Sequence, residues 1–185
     1  MLKRILAFLL DIIEVIVFAG AFFLFIYLLV MQPHKIKGAS MMPNYIDGEY
    51  LLTDKVSYRF GEPDRGNVII FEAPTGDGEE FIKRIIGLPG ETVSLIGGNF
   101  FINSTKLNEP YLDESLYINP GAFLNEGGSV LVPENEYFVS GDNRPHSSDS
   151  RAWGFITKEK ITGKAWFVYW PIKMVGVIKN PTYSF

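Results

Sequence analysis

The chain has 185 residues, room for one membrane anchor and one domain of roughly 150 residues that can bury a core without disulfide or metal staples. A net charge of -4 argues against a nucleic-acid surface, whose footprint is a clustered excess of lysine and arginine. The absence of cysteine excludes disulfides, thiolate catalysis and cysteine-bound zinc, and the two histidines, His34 and His146, are too few for a histidine-rich metal site.

Apolar residues are concentrated at the start. Val15 to Met31 reads VIVFAGAFFLFIYLLVM, 17 uncharged residues, or roughly 25 Å of helix, near the lower limit for crossing a bilayer. Ile5 to Leu10 can extend the span across Asp11 and Glu14, which fit an interfacial first turn. A cleavable signal peptide is the rival, but the apolar core exceeds the usual length and no small-x-small pattern closes it, so residues 1–32 are expected to be a retained anchor. Lys3 and Arg4 before the span balance Lys35 and Lys37 after it, so charge leaves its orientation open.

Beyond Pro33, short β-rich runs alternate with Gly, Pro, Asn and Asp, and no amphipathic helical repeat appears, which predicts a mainly antiparallel β domain over residues 33–185. Strands are expected at Tyr50 to Val56, Asn67 to Glu72, Glu80 to Ile86, Thr92 to Ile96, Phe100 to Asn103, Ser129 to Val132, Glu136 to Ser140 and Lys164 to Tyr169. Gly97-Gly98 marks a two-residue hairpin, because both positions accept positive φ. Asn103 to Gly128, punctuated by proline and glycine, reads as a loop-rich insertion.

Two residues in this pattern suggest chemistry. In Gly38-Ala39-Ser40-Met41-Met42-Pro43 a serine stands among small and apolar residues, within about nine residues of the span, so an extended tether holds it within roughly 30 Å of the bilayer. Taken alone it is a turn serine. In Phe81-Ile82-Lys83-Arg84-Ile85-Ile86, strand alternation places Lys83 with Phe81 and Ile85 and places Arg84 opposite, one cation on each apolar face. Alternation does not say which of the two points inward, but only lysine can lose its proton in an ordinary protein environment and serve as a base.

The stretch from Ser140 to Gly154 is dense in side chains that hydrogen-bond locally. It reads either as a plain polar loop or as support, with Ser147 bonded to the lysine amine and Asp149 paired with Arg151. His146 offers a rival base but lies in polar company. Lys164 to Pro171 is rich in aromatics, suited to a core edge or to a headgroup layer.

Together GASMMP, FIKRIIGLPGE and SGDNRPHSSDSRAWG, in this order behind an apolar span, resemble the type I signal peptidases, the Ser-Lys leader peptidases of bacteria, over nearly the whole chain. The resemblance implies an antiparallel β-sheet catalytic core of signal-peptidase/LexA-like type with a small β insertion, preceded by one transmembrane helix. It implies a membrane-bound serine endopeptidase that removes signal peptides after small-x-small sequences, with Ser40 as nucleophile, Lys83 as general base, Ser147 orienting the amine, and Asp149 and Arg151 stabilising the site. Ile36, Met41, Phe81 and Ile82 would line substrate pockets suited to small residues. Gly38 stands where many relatives carry a serine hydroxyl that helps bind the oxyanion, and Asn44 stands where a threonine is common. The implied partners are preprotein signal peptides and membrane lipid, with functional association with the secretion translocon, and no nucleic acid, metal or cofactor. The N-terminus would be cytoplasmic and the catalytic domain on the outer face of the plasma membrane. Two rivals stay open: a same-class peptidase dedicated to a pilus or conjugation precursor, and a non-enzymatic, membrane-anchored β binding module. LexA-like autoproteases share the chemistry but carry a DNA-binding module where this chain has its span.

Overall fold

The computed structural model describes residues 2–74, 76, 78–113 and 116–183; residue 1 of the expected anchor, residues 114–115 of the expected insertion, and residues 75, 77 and 184–185 of the expected β domain lie outside the described residues. The helix α1 (Leu2–Leu29) comes first. It is long and apolar enough to cross a membrane, and its most apolar stretch is not packed against the rest of the chain. Strand β1 (Met31–Lys35) follows at once and pairs with β2 (Tyr50–Asp54), so Met31 and Gln32 belong to the sheet and the expected boundary at residue 32 falls inside a strand.

After the one-turn helix α2 (Ser57–Phe60) come β3 (Val68–Glu72) and β4 (Glu80–Gly87). The strands β5 (Thr92–Ile96), β6 (Asn99–Ile102), β7 (Thr105–Lys106) and β8 (Ser129–Leu131) are next, followed by β9 (Glu136–Ser140). The short helix α3 (Ser150–Trp153), β10 (Ile156–Thr157), β11 (Ile161–Trp170) and β12 (Gly176–Val177) complete the order. Eight strands form one antiparallel sheet in the order β1-β2-β11-β3-β4-β9-β10, with β12 paired to β11. Three strands separate β1 from β4, which in a flat sheet means about 19 Å. The side chains of His34 on β1 and Glu80 on β4 nevertheless meet at 2.8 Å, so the sheet is rolled.

Rolling gives the sheet two buried faces, which is why β3 reads as a continuous apolar run and β4 carries apolar side chains on both faces. Val68 and Ile70 pack with Ile36, Leu51 and Ile82, while Ile69 and Phe71 pack on the other side with Ile85, Tyr137 and Val139. Each such side chain contributes about 1.5–3 kcal/mol by leaving water. β5 to β8 form a second sheet in the order β7-β6-β5-β8, joined to the first through Ile86 and Phe138, which share a core with Val93, Leu95 and Phe100. Gly97 and Gly98, with φ of 57° and 68°, turn the β5–β6 hairpin as expected. The accessory unit is therefore larger than the loop expected at 103–128: it takes in β5, β6 and β8, and 103–128 is the irregular connection between them plus β7.

Candidate active site

Ser40 follows the end of β1 in a turn whose placement is fixed from both sides. Met41, 1% exposed, is locked into the core beneath it. From the other side the backbone N–H of Asn143 donates to Ser40 O at 2.9 Å, and Asn143 Nδ2 donates to Ala39 O at 2.9 Å. This close approach requires glycine at 141, where a Cβ would stand 2.4 Å from Ser40 O and 2.3 Å from Ser147 Oγ.

Lys83 is 4% exposed and reaches Ser40 from the middle of β4: Nζ donates to Ser40 Oγ at 2.9 Å and to Ile82 O at 2.9 Å, and lies 5.2 Å from the centre of the Phe81 ring. Burial pushes the amine down to about 8, opposed by the more distant carboxylates of Asp149 and Asp142. An amine with that pKa is about a tenth neutral at pH 7, where an ordinary lysine is neutral in less than about 0.1% of molecules. The hydroxyl therefore has, at hydrogen-bond distance, a group able to take its proton.

Arg84 points the other way. Its Nε and Nη2 donate to Asp142 Oδ1 and Oδ2 at 2.8 and 2.6 Å, Nη1 donates to Gly66 O at 2.9 Å, and the guanidinium lies 4.0 Å from the centre of the Tyr111 ring. Asn44 Nδ2 adds a bond to Asp142 Oδ2 at 2.8 Å. Asp142 directly precedes the Asn143 that grips Ser40, so this ion pair anchors the dyad from behind. Sequence reading missed it. The available signal was only that a buried Arg84 must find a carboxylate, and nothing local singles out Asp142 from Glu134, Glu136 and Asp149 nearby in the chain.

Asp149 and Arg151 are paired as expected, with Nε to Oδ1 and Nη2 to Oδ2 both at 2.8 Å. Burial would raise the Asp149 carboxyl, but hydrogen bonds and charge from Arg151, with bonds from Gly141 N–H and Ser140, hold it below the usual carboxylate range. Arg151 also donates to the carbonyls of Asn119 and Arg144, at 2.9 and 2.7 Å, and so ties the loop to the accessory unit.

Several expectations need correction. Ser147 does not bond to the amine: its Oγ rests over Gly141 and is buried without a hydrogen-bond partner among the described residues. Met41 does not line the cleft but supports Ser40 from the core. The N–H of Gly38, the position where many relatives carry a serine, is committed to Asp47 Oδ1 at 2.7 Å. The Ser40 N–H has no acceptor among the described residues. His146 is exposed, with Nδ1 3.2 Å from Asn143 Oδ1, and is not bonded to Ser40.

Ile36, Phe81 and Ile82 do line a cleft of about 490 Å³ that ends on Ser40 and Lys83, with Ile70 as a further apolar wall. β9 pairs with β4 only from Arg84 onward, so Phe81 to Lys83 have β3 on one side and, among the described residues, no strand on the other. No cluster able to hold a metal ion occurs among the described residues.

A serine hydroxyl held against a buried, partly neutral lysine beside an open strand edge is the arrangement of a serine hydrolase with a lysine base. Residues 9–170 match the family described as signal peptidase, peptidase S26. The chain is 34% identical over 185 residues to signal peptidase IB of Staphylococcus aureus (strain COL), covering 92% of this chain and 96% of that protein. It is 38% identical over 157 residues to a protein of Synechocystis sp. named "Probable signal peptidase I-2", covering 82% and 68%. A crystal structure of a signal peptidase I from Enterococcus faecalis is 34% identical and covers 56% of this chain and 97% of that one, with a TM-score of 0.48. The chain belongs to the signal peptidase family and is a serine peptidase of that family.

Proposed function

We propose that the protein is a membrane-anchored endopeptidase that removes N-terminal signal peptides from exported preproteins. The observation that carries this is the 2.9 Å bond between Ser40 Oγ and a lysine amine that burial holds at about 8. Neutral Lys83 takes the Ser40 proton as the hydroxyl oxygen attacks the scissile carbonyl. The Ser40 N–H stabilises the oxyanion, and protonated Lys83 then gives its proton to the leaving amine. Water, activated by the neutral amine, next cleaves the ester and restores Ser40. Asp149 and Arg151 hold the loop that clamps Ser40, and the apolar walls Ile36, Ile70 and Ile82 favour small side chains next to the cut.

The unpaired edge of Phe81 to Lys83 suits an extended peptide, which would add as a strand and bind through its backbone whatever its sequence. With α1 in the bilayer and its N-terminus in the cytoplasm, the catalytic domain stands on the outer face. Trp166, Trp170, Ile172 and Val177, between 42% and 75% exposed, form an apolar margin able to rest on lipid.

Incubating the full-length protein in detergent with purified preproteins and mapping the new N-termini by mass spectrometry is expected to show one cut after a small-x-small sequence. Cleavage confined to a pilus or conjugation precursor would assign the narrower role, and intact precursors throughout would refute the peptidase.

A further inference from the structure

The loop that grips Ser40 rests in turn on an acidic residue of the accessory unit that the proposed chemistry does not use. Arg144, 1% exposed, directly follows the Asn143 whose N–H bonds to Ser40 O. Its Nε donates to Gly141 O at 2.8 Å, its Nη1 donates to Glu109 Oε2 at 2.9 Å, and its Nη2 donates to Glu109 Oε1. One edge of the guanidinium thus holds the glycine that lies against the Ser40 carbonyl, and the other holds a carboxylate 35 positions earlier in the chain. The Arg144 carbonyl accepts from Arg151 Nη2 at 2.7 Å, and the guanidinium lies 5.0 Å from the centre of the Phe100 ring on β6.

The accessory unit fixes the other end of this bridge. Leu107 N–H donates to Phe100 O at 2.9 Å, and the Leu107 side chain packs with Val93, Phe100 and Ile102, so the segment that carries Glu109 leaves the hairpin from an anchored point. Pro110 holds Glu109 extended. Tyr111 OH donates to Glu109 Oε1, Tyr111 O accepts from Asn44 Nδ2 at 3.1 Å, and the Tyr111 ring lies 4.0 Å from the Arg84 guanidinium. Glu109 to Tyr111 therefore stand behind the catalytic turn and touch both buried arginines. Arg144 cannot shed its charge, and Glu109, with its side chain 10% exposed, is the carboxylate bonded to it. Without that charge the guanidinium turns to water or to Asp142, whose field it already feels, and its hold on Gly141 O loosens. A misplacement of about 1 Å at a reacting group costs on the order of 100-fold in rate.

We propose that Glu109 is a positioning residue for the reaction: from the accessory unit it fixes Arg144 and, through the Gly141 carbonyl, the loop that sets Ser40 against Lys83. Catalysis thereby depends on a unit that contributes no group to the dyad, an inference that rests on the peptidase reading. Loosening the loop separates Ser40 from Lys83 and lets water reach the amine, and a better-hydrated amine keeps its proton to higher pH.

The test compares full-length wild type, Glu109→Gln and Glu109→Ala in detergent, cutting a peptide that spans a signal-peptide cleavage site, with urea unfolding to show that each variant is folded under assay conditions. Glu109→Gln keeps an acceptor for Nη2 and removes the charge; Glu109→Ala removes both. Here kcat is expected to fall by roughly 5-fold in Glu109→Gln and by more than about 10-fold in Glu109→Ala, with KM within about 2-fold of wild type. Activity rises with pH as Lys83 becomes neutral, and the midpoint of that rise should move upward from about 8 in both variants. Variants that lose stability but keep kcat and the midpoint would make Glu109 a prop for the fold alone and overturn the proposal, as would a loss confined to KM. Should Glu109→Ala fail to fold, Glu109→Gln decides. Wild-type cleavage matched by both variants defeats only the role of Glu109, whereas no cleavage by wild type defeats the peptidase reading with it.

Discussion

Lys83→Met is expected to abolish preprotein cleavage, lowering kcat/KM by roughly four orders of magnitude or more, and at the same time to make the folded domain more stable. The two effects have one cause. Methionine keeps the apolar stem against Phe81 and the core but can accept no proton from Ser40, so the hydroxyl returns to the weak nucleophilicity of an ordinary alcohol. The stability gain follows from the lowered amine. A pKa of about 8 in the fold against the ordinary 10.5 means that folding costs the charged amine on the order of 3 kcal/mol. Below pH 8 the folded and unfolded states both carry the proton and the folded state bears the full cost. Between about 8 and 10.5 the unfolded state binds more protons, so stability rises with pH, and above that range the cost is gone. Urea unfolding of wild type and Lys83→Met should therefore diverge most at neutral pH and converge toward pH 10 and beyond. Ser40→Ala should match the loss of activity without the pH-dependent gain. A Lys83→Met enzyme that still cuts, or one with no stability advantage at neutral pH, would remove Lys83 from the role of base.

Asp142→Ala is expected to destabilise the domain by about 3–5 kcal/mol, the largest effect on folding foreseen for any single polar residue here. Arg84 is 2% exposed and keeps its charge whatever its neighbours do, so removing the carboxylate leaves a buried guanidinium with neutral partners such as the Gly66 carbonyl, the Tyr45 hydroxyl and the Tyr111 ring but no facing carboxylate to pair it. Asn44 loses one of its two acceptors as well, keeping the Tyr111 carbonyl. Unfolding by urea measures the loss directly. The double variant Arg84→Met, Asp142→Leu should regain most of it, because a buried ion pair replaced by apolar side chains of similar volume is often close to neutral in stability. If Asp142→Ala unfolds like wild type, the pair does not anchor the loop that grips Ser40.

Much of this arrangement could be read in the chain. The strands with alternating or continuous apolar side chains stand within a few residues of their expected bounds, because burial dictates those patterns locally. The split between Lys83 and Arg84 followed from strand alternation, and the Asp149–Arg151 pair from two residues close together in sequence. What escaped depends on contacts between distant segments. β1, Met-Gln-Pro-His-Lys, has no apolar alternation and a proline at its centre, and it is a strand because β2 pairs with it. The Arg84–Asp142 and His34–Glu80 pairs join residues 58 and 46 positions apart, the first brought together by the pairing of β4 with β9 and the second by the rolling of the sheet, neither of which a local pattern encodes. The place of Ser147 in the polar loop was legible, but not its packing over Gly141, which depends on how the loop folds back on itself.

The titration of the Lys83 amine itself, followed by NMR in the full-length enzyme with isotope-labelled lysine and assigned by its disappearance in Lys83→Met, bears most directly on the base. A midpoint near 8 is expected, from burial beside Ser40. A midpoint at or above 10 would mean an amine still charged when the enzyme works, and Ser40 would then need another base.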